Sequence, residues 1–190
     1  MISRDARESI EWLFNKAIRE HSVNAASDSC EIHPQASRDE AGSGSTADLV
    51  VLNISSYLFR IVALFEFERE GGMRSHLAGL AGLDERTLDE TVLFDAYAEF
   101  VNMVCGAVNR GLSARFHAGM STPFFLESAC VDHVAILQPT GIIALTATIN
   151  DTARFRLTLC VQVASNETLD FRLDRHEEQQ VESSGELEFF

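Results

Sequence analysis

The 190-residue sequence predicts an α+β fold, a mostly antiparallel β-sheet packed against two or three helices, one of them long. Three observations carry this expectation. Apolar residues recur with period two from Asp48 onward, and the same period returns in residues 141–163 around Asp151-Thr152. Between these stretches, residues 88–115 keep a helical period.

Residues 5–18 place Ile10, Leu13, Phe14, Ala17 and Ile18 at helical spacing, which predicts an amphipathic helix within residues 1–22 that packs on the domain. Residues 23–47 are rich in Ser, Ala, Gly and acidic groups and end in Gly42-Ser43-Gly44-Ser45-Thr46, the composition of a long mobile linker. Those glycines do not form a phosphate cradle, because no GxxxxGK[ST] pattern follows. The domain core is expected over residues 48–165. Val50, Leu52 and Ile54, then Phe59, Ile61, Ala63, Phe65 and Phe67, read as two strands joined near Ser55-Ser56. Gly71-Gly72 stops the second strand, and residues 73–83 form a short helix interrupted by Gly79 and Gly82. Asp84 is a candidate N-cap ahead of the long helix. Residues 119–126 predict a strand entered past Pro123, and residues 131–137 predict another. Residues 141–150 and 154–163 predict a hairpin, with Phe155, Leu157, Leu159, Val161 and Val163 on one face. The acidic residues 166–190 are expected to form a mobile tail, mostly unpacked from Asp174.

With 29 acidic and 15 basic side chains, the formal charge of −14 argues against a nucleic-acid surface or an anionic membrane as partner. Lys16 is the only lysine, so catalysis by a buried lysine is all but excluded. The four cysteines, Cys30, Cys105, Cys130 and Cys160, form no CxxC pair, and no metal-ligand spacing occurs among His21, His33, His76, His117, His133 and His176. No GxSxG is present, and Cys105 reads as a small packing residue. No stretch approaches about 18 uninterrupted apolar residues. The N-terminus lacks the apolar run of a signal peptide, and the expected compartment is the cytoplasm.

The long helix carries the candidate chemistry. With Asp95 at zero and about 100° per residue, Glu99 lies at about +40°, Asn102 at about −20° and Gly106 at about +20°. Asn109 and Arg110 flank that line. Tyr97, Phe100, Val101, Val104, Val108 and Leu112 occupy the opposite side, as a helix docked on a sheet requires. Gly106 costs about 1 kcal/mol relative to Ala in a helix, and Asn102 competes for backbone hydrogen bonds. Both fit a face that another protein's backbone approaches closely. A plain solvated face, with Asp95 complementing the helix dipole, is the other reading.

The run Asp95-x-x-x-Glu99-x-x-Asn102-Met103-x-x-Gly106, followed about twenty residues later by Thr122-Pro123, resembles the CheC/CheX/FliY phosphatase family of bacterial chemotaxis. The surroundings resemble the CheX branch. They comprise a leading helix, a strand pair, a short Gly-containing helix, Leu88-Asp89-Glu90, the motif helix, the Thr-Pro strand and a closing hairpin. The resemblance covers about residues 5–163, with residues 23–47 outside it. That insertion, the acidic tail and Ser55-Ser56 in place of glycines depart from the family pattern.

The resemblance implies a CheC-like fold and hydrolysis of the aspartyl phosphate on a CheY-like response regulator. Asn102 would position the attacking water, and Glu99 would pair with the regulator's lysine. Asp95, Met103 and Gly106 would contact the partner. The chain would need no cofactor or metal of its own, with Mg2+ held by the phosphorylated regulator. One ExxN motif, where the CheC branch usually has two, implies one site per subunit of a homodimer. A non-catalytic dimeric regulator-binding module of the same fold is the alternative.

Overall fold

A computed structural model describes residues 1–23, 25, 27–35, 47–69, 72–82 and 89–174 of the chain. In chain order the elements are α1 (Arg4–Ser22), β1 (Cys30–Pro34), β2 (Ala47–Ser55), β3 (Phe59–Glu68), α2 (Met73–Ala81) and α3 (Glu90–Phe116). There follow β4 (Gly119–Met120), β5 (Phe124–Leu126), a 3-10 segment (Ser128–Leu137), β6 (Gly141–Ile149) and β7 (Ala153–Val163). The strands form one antiparallel sheet in the order β1-β6-β7-β3-β2-β4, with β5 also pairing β2. The predicted α+β class and both predicted hairpins are present. The β2–β3 turn is held by Ser56, whose Oγ accepts from the Leu58 and Phe59 amides at 3.2 and 3.3 Å.

One face of the sheet carries the main core. Val50, Leu52, Phe65, Phe67, Leu145, Phe155 and Leu157 meet Ile10, Phe14 and Ile18 of α1 and Tyr97, Phe100 and Val104 of α3. A smaller cluster lies on the other face, where Leu49, Val51, Leu64 and Cys160 are covered by Val131 of the 3-10 segment. The run Leu49–Leu52 is therefore buried on both faces, as its unbroken apolar sequence requires. Glu66, also on that outer face, is 2% exposed and pairs across strands with Arg156 at 3.4 Å.

Four expectations are corrected. The stretch read as linker holds an edge strand, β1, in register with β6 from Cys30↔Ile149 to Pro34↔Leu145. Asn150 in the β6–β7 turn anchors its start, accepting the Ser29 amide at 2.9 Å on Oδ1 and donating its own amide to the Ser29 carbonyl at 3.1 Å. Residues 36–46, with the Gly-Ser run, lie outside the described residues, as does Asp84. The second correction is at residues 131–137, which are not a strand: Val131, Val134 and Leu137 are spaced at i, i+3, the repeat of a 3-10 helix.

Thirdly, the expected strand at 119–126 is broken in two. Met120 pairs with Ile54, but Phe124 pairs with Val51, one residue out of the β4 register. The extra residue is a β-bulge at Ser121–Pro123, where proline has no amide for the ladder. Ser121 stitches it to β2, its amide donating to the Asn53 carbonyl at 2.9 Å and its Oγ accepting from the Asn53 amide at 3.0 Å.

The fourth correction concerns the expected tail from residue 166, which is anchored to the domain through Leu169, Phe171 and Leu173; Asp174 is exposed, and residues 175–190 are outside the described ones. Leu169 is fully buried and forms a parallel bridge with Ile2. Phe171 packs edge-on against Phe116 at 5.0 Å, and the Leu173 amide donates to Ser9 Oγ at 3.2 Å.

By length and hydropathy α3 is the one described helix that could cross a membrane, and its apolar side chains are spent on the core instead. Leu169→Ala should cost about 2–5 kcal/mol in urea denaturation, because it empties a filled core position; a change within about 0.5 kcal/mol would mean that the segment is not packed.

Burial holds the imidazoles of His21 and His76 below their ordinary pKa of 6.5, against the opposing pull of Glu20 on His21 and of the Ser22 backbone and Asp28 on His76. The unfolded chain therefore binds more protons than the folded one as pH falls through 6.5. Their contribution to stability is complete above that pH and is lost below it. The urea midpoint should fall between pH 7.5 and pH 5.5, and a His21→Gln, His76→Gln double variant should show a smaller fall.

Candidate functional site on helix α3

Helix α3 starts at Asp89, whose Oδ1 accepts from the Val92 amide at 2.9 Å, and ends at His117 in the left-handed region at φ 49°. Leu93, Tyr97, Phe100, Val101, Val104, Cys105, Val108, Leu112 and Phe116 are buried. The ring of Tyr97 stacks on Phe67 at 4.4 Å, and Phe100 meets Phe155 edge-on at 5.5 Å. Burial pushes the Tyr97 hydroxyl up to about 12 and the Cys105 thiol well above its ordinary range. Cys105 is therefore a packing residue and no thiolate nucleophile.

With that side clamped, the opposite stripe faces solvent. Asp95 and Glu99 are exposed, Met103 is 37% exposed, and Asn102 and Gly106 are half-buried. All five expected site residues thus share one ridge over three turns. Among the described residues, none of the Asp95, Glu99 and Asn102 side chains makes a hydrogen bond or ion pair. They are available to another molecule.

Three clefts among the described residues, of about 830, 740 and 400 Å³, lie elsewhere, and none is lined by a ridge residue. A convex ridge suits insertion into a partner's pocket rather than capture of a small molecule. No group of three metal-ligating side chains occurs among the described residues, and the described histidines are scattered over α1, β1, α2, the end of α3 and the 3-10 segment.

The bulge after Thr122 has a consequence for this ridge that motif reading missed. The added residue reverses the strand's alternation, so Phe125 pairs with Val50 and faces α3. Its ring packs on Phe94, beside Asp95, at 4.9 Å. Without the bulge Phe124 would point there instead. Proline after a polar residue in a predicted strand was the available signal.

No protein-family model and no curated protein sequence matches the chain. Solved structures do. The chain is similar to the CheX–CheY–BeF3–Mg2+ complex from Borrelia burgdorferi, with a TM-score of 0.58 at 11% identity, covering 84% of this chain and 99% of that one. The fold is that of the CheC and CheX chemotaxis proteins. CheX from Desulfovibrio desulfuricans matches with a TM-score of 0.54 at 14% identity over 80% of this chain and 99% of its own. CheX from Vibrio vulnificus gives 0.53 at 15% identity over 81% and 97%. The expected CheC-like architecture is therefore present, at identities that speak for fold alone.

Gly106 now admits a clean test. A Cβ added there meets only Arg110 Nη1, at an ordinary 3.8 Å. Gly106→Ala should leave the fold intact and raise its stability by up to about 1 kcal/mol in urea denaturation. A destabilised variant would show that the glycine serves the helix's own packing.

Proposed function

We propose that this chain is a CheX-like phosphatase, hydrolysing the aspartyl phosphate of a CheY-like response regulator. The observation that carries the reading is the uncommitted convex stripe Glu99-x-x-Asn102 on this fold. A CheX of the same fold solved with CheY, BeF3 and Mg2+ supports the choice of partner, since beryllofluoride is a phosphoryl analogue.

The chemistry asks little of the chain. Water attacks phosphorus, the bond from phosphorus to the aspartate oxygen breaks, and the carboxylate leaves with its electron pair. A carboxylate of ordinary pKa about 3.9 leaves without protonation, so the missing ingredient is a water held in line. The Asn102 amide would hold that water, and being neutral it can enter a pocket already filled with negative charge. Glu99, one turn earlier, would pair with the regulator's lysine and set the register. Asp95, Met103 and Gly106 would complete the contact. Mg2+ belongs to the regulator.

The reading carries a cytoplasmic setting and a homodimer with one site per subunit. Phe124 and Leu126, 40 and 43% exposed on the short strand β5, supply an apolar edge that supports self-association. A solution mass of one chain by light scattering would contradict the dimer.

Phosphate release from phosphorylated receiver domains tests the activity. Asn102→Ala should lose roughly 100-fold or more of the stimulated rate while binding to a beryllofluoride-activated receiver survives. Wild-type rates in that variant would sink the mechanism. Binding without any stimulated release by the wild-type chain would favour the non-catalytic module.

A further inference from the structure

We infer that Arg110 is the anion-holding cation of the docking ridge, gripping the phosphoryl-bearing rim of the partner while Asn102 occupies its pocket; this rests on the receiver-phosphatase reading above. From N to C the stripe presents Asp95, Glu99, Asn102, Gly106 and Arg110, that is two carboxylates, an amide, a gap and a guanidinium. Arg110 is the first Lys or Arg in α3. Its side chain folds back along the helix, with Nη1 3.8 Å from the place a Gly106 Cβ would take. The guanidinium therefore lies over the glycine, about 6 Å of helix rise from Asn102 rather than the about 12 Å that its own position would give. A long side chain at 106 would occupy that bed.

Arg110 is exposed and, among the described residues, makes no ion pair or side-chain hydrogen bond.

The order of charge on the ridge complements the partner. A cation on the receiver meets Glu99, and the phosphoryl group, carrying about −1.5 to −2, lies toward Asn102 and the guanidinium beyond it. Arginine suits this place because its planar fork donates two parallel hydrogen bonds to phosphate or carboxylate oxygens. The chain's −14 charge repels such a partner at long range, and Arg110 offsets that repulsion where the surfaces touch.

The test uses a receiver that the wild-type chain dephosphorylates, with Arg110→Glu, Arg110→Gln and Arg110→Lys. Far-ultraviolet circular dichroism should show all three folded, as befits an exposed position. Arg110→Glu should raise both KM and the dissociation constant for the beryllofluoride-activated receiver about tenfold or more, leaving kcat within about twofold. Arg110→Lys should recover most of the affinity. Arg110→Gln should weaken binding and flatten its salt dependence. Unchanged affinity and KM in Arg110→Glu would overturn the inference while leaving the Asn102 mechanism standing. A fall in kcat at constant KM would also overturn it, because the group would then act at the reacting centre. A wild-type chain inactive on every receiver would instead remove the functional reading beneath it.

Discussion

The candidate functional face of this protein follows from the way α3 is clamped to the sheet. Tyr97 lies flat on Phe67, Phe100 stands edge-on to Phe155, and Val104, Val108 and Leu112 continue the buried stripe. Aromatic pairs of this kind contribute about 0.5–1.5 kcal/mol each beyond their buried area, and they resist rotation of the helix about its axis. Because the apolar stripe is fixed, the stripe on the opposite side is fixed too. Asp95, Glu99, Asn102, Met103 and Gly106 are presented as one ridge with no contribution from loops.

The second constraint is the bulge at Ser121–Pro123. A single added residue turns Phe125 to the helix side of the sheet, against Phe94, and leaves Phe124 and Leu126 on the other side, all three still partly exposed. The same local defect thus buttresses the start of the ridge and gives β5 its exposed apolar edge. A residue pair noticed first as part of a motif, Thr122-Pro123, acquires a physical role in steering the strand's alternation.

Long periodic segments were legible in the sequence. The α3 stripe, the β2–β3 pair and the β6–β7 hairpin each repeat their pattern often enough to reveal their faces, and the ridge residues could be placed by angle alone. The misreadings have distinct causes. In β1 only Cys30 and Ile32 alternate with polar neighbours, and its place in the sheet is fixed from a distance by Asn150 on Ser29. In the 3-10 segment Val131 and Val134 are too few to separate a period of three from one of two. Residues 166–174 look like tail because Leu169 and Phe171 stand isolated among polar groups, and their burial depends on Ile2 and Phe116, which are distant in sequence. Arg110 was visible beside the line, but its fold back over Gly106 is a matter of side-chain conformation.

Acidity, the most conspicuous property of the composition, turns out to be a poor guide to function. It argues against whole classes of partner and names none, whereas the positive argument lies in the order of a few side chains on one helix. Methyl NMR on methionine-labelled protein tests that argument most directly. Of the four methionines, Met103 sits on the ridge beside Asn102, Met73 is buried in α2, and Met1 lies at the chain terminus far along the sequence from α3. Titration with a beryllofluoride-activated receiver should shift and broaden the Met103 methyl and leave Met1 and Met73 in place. Binding that moves Met1 or Met73 while Met103 stays unperturbed would show that the partner docks elsewhere, and the account of the ridge would fail.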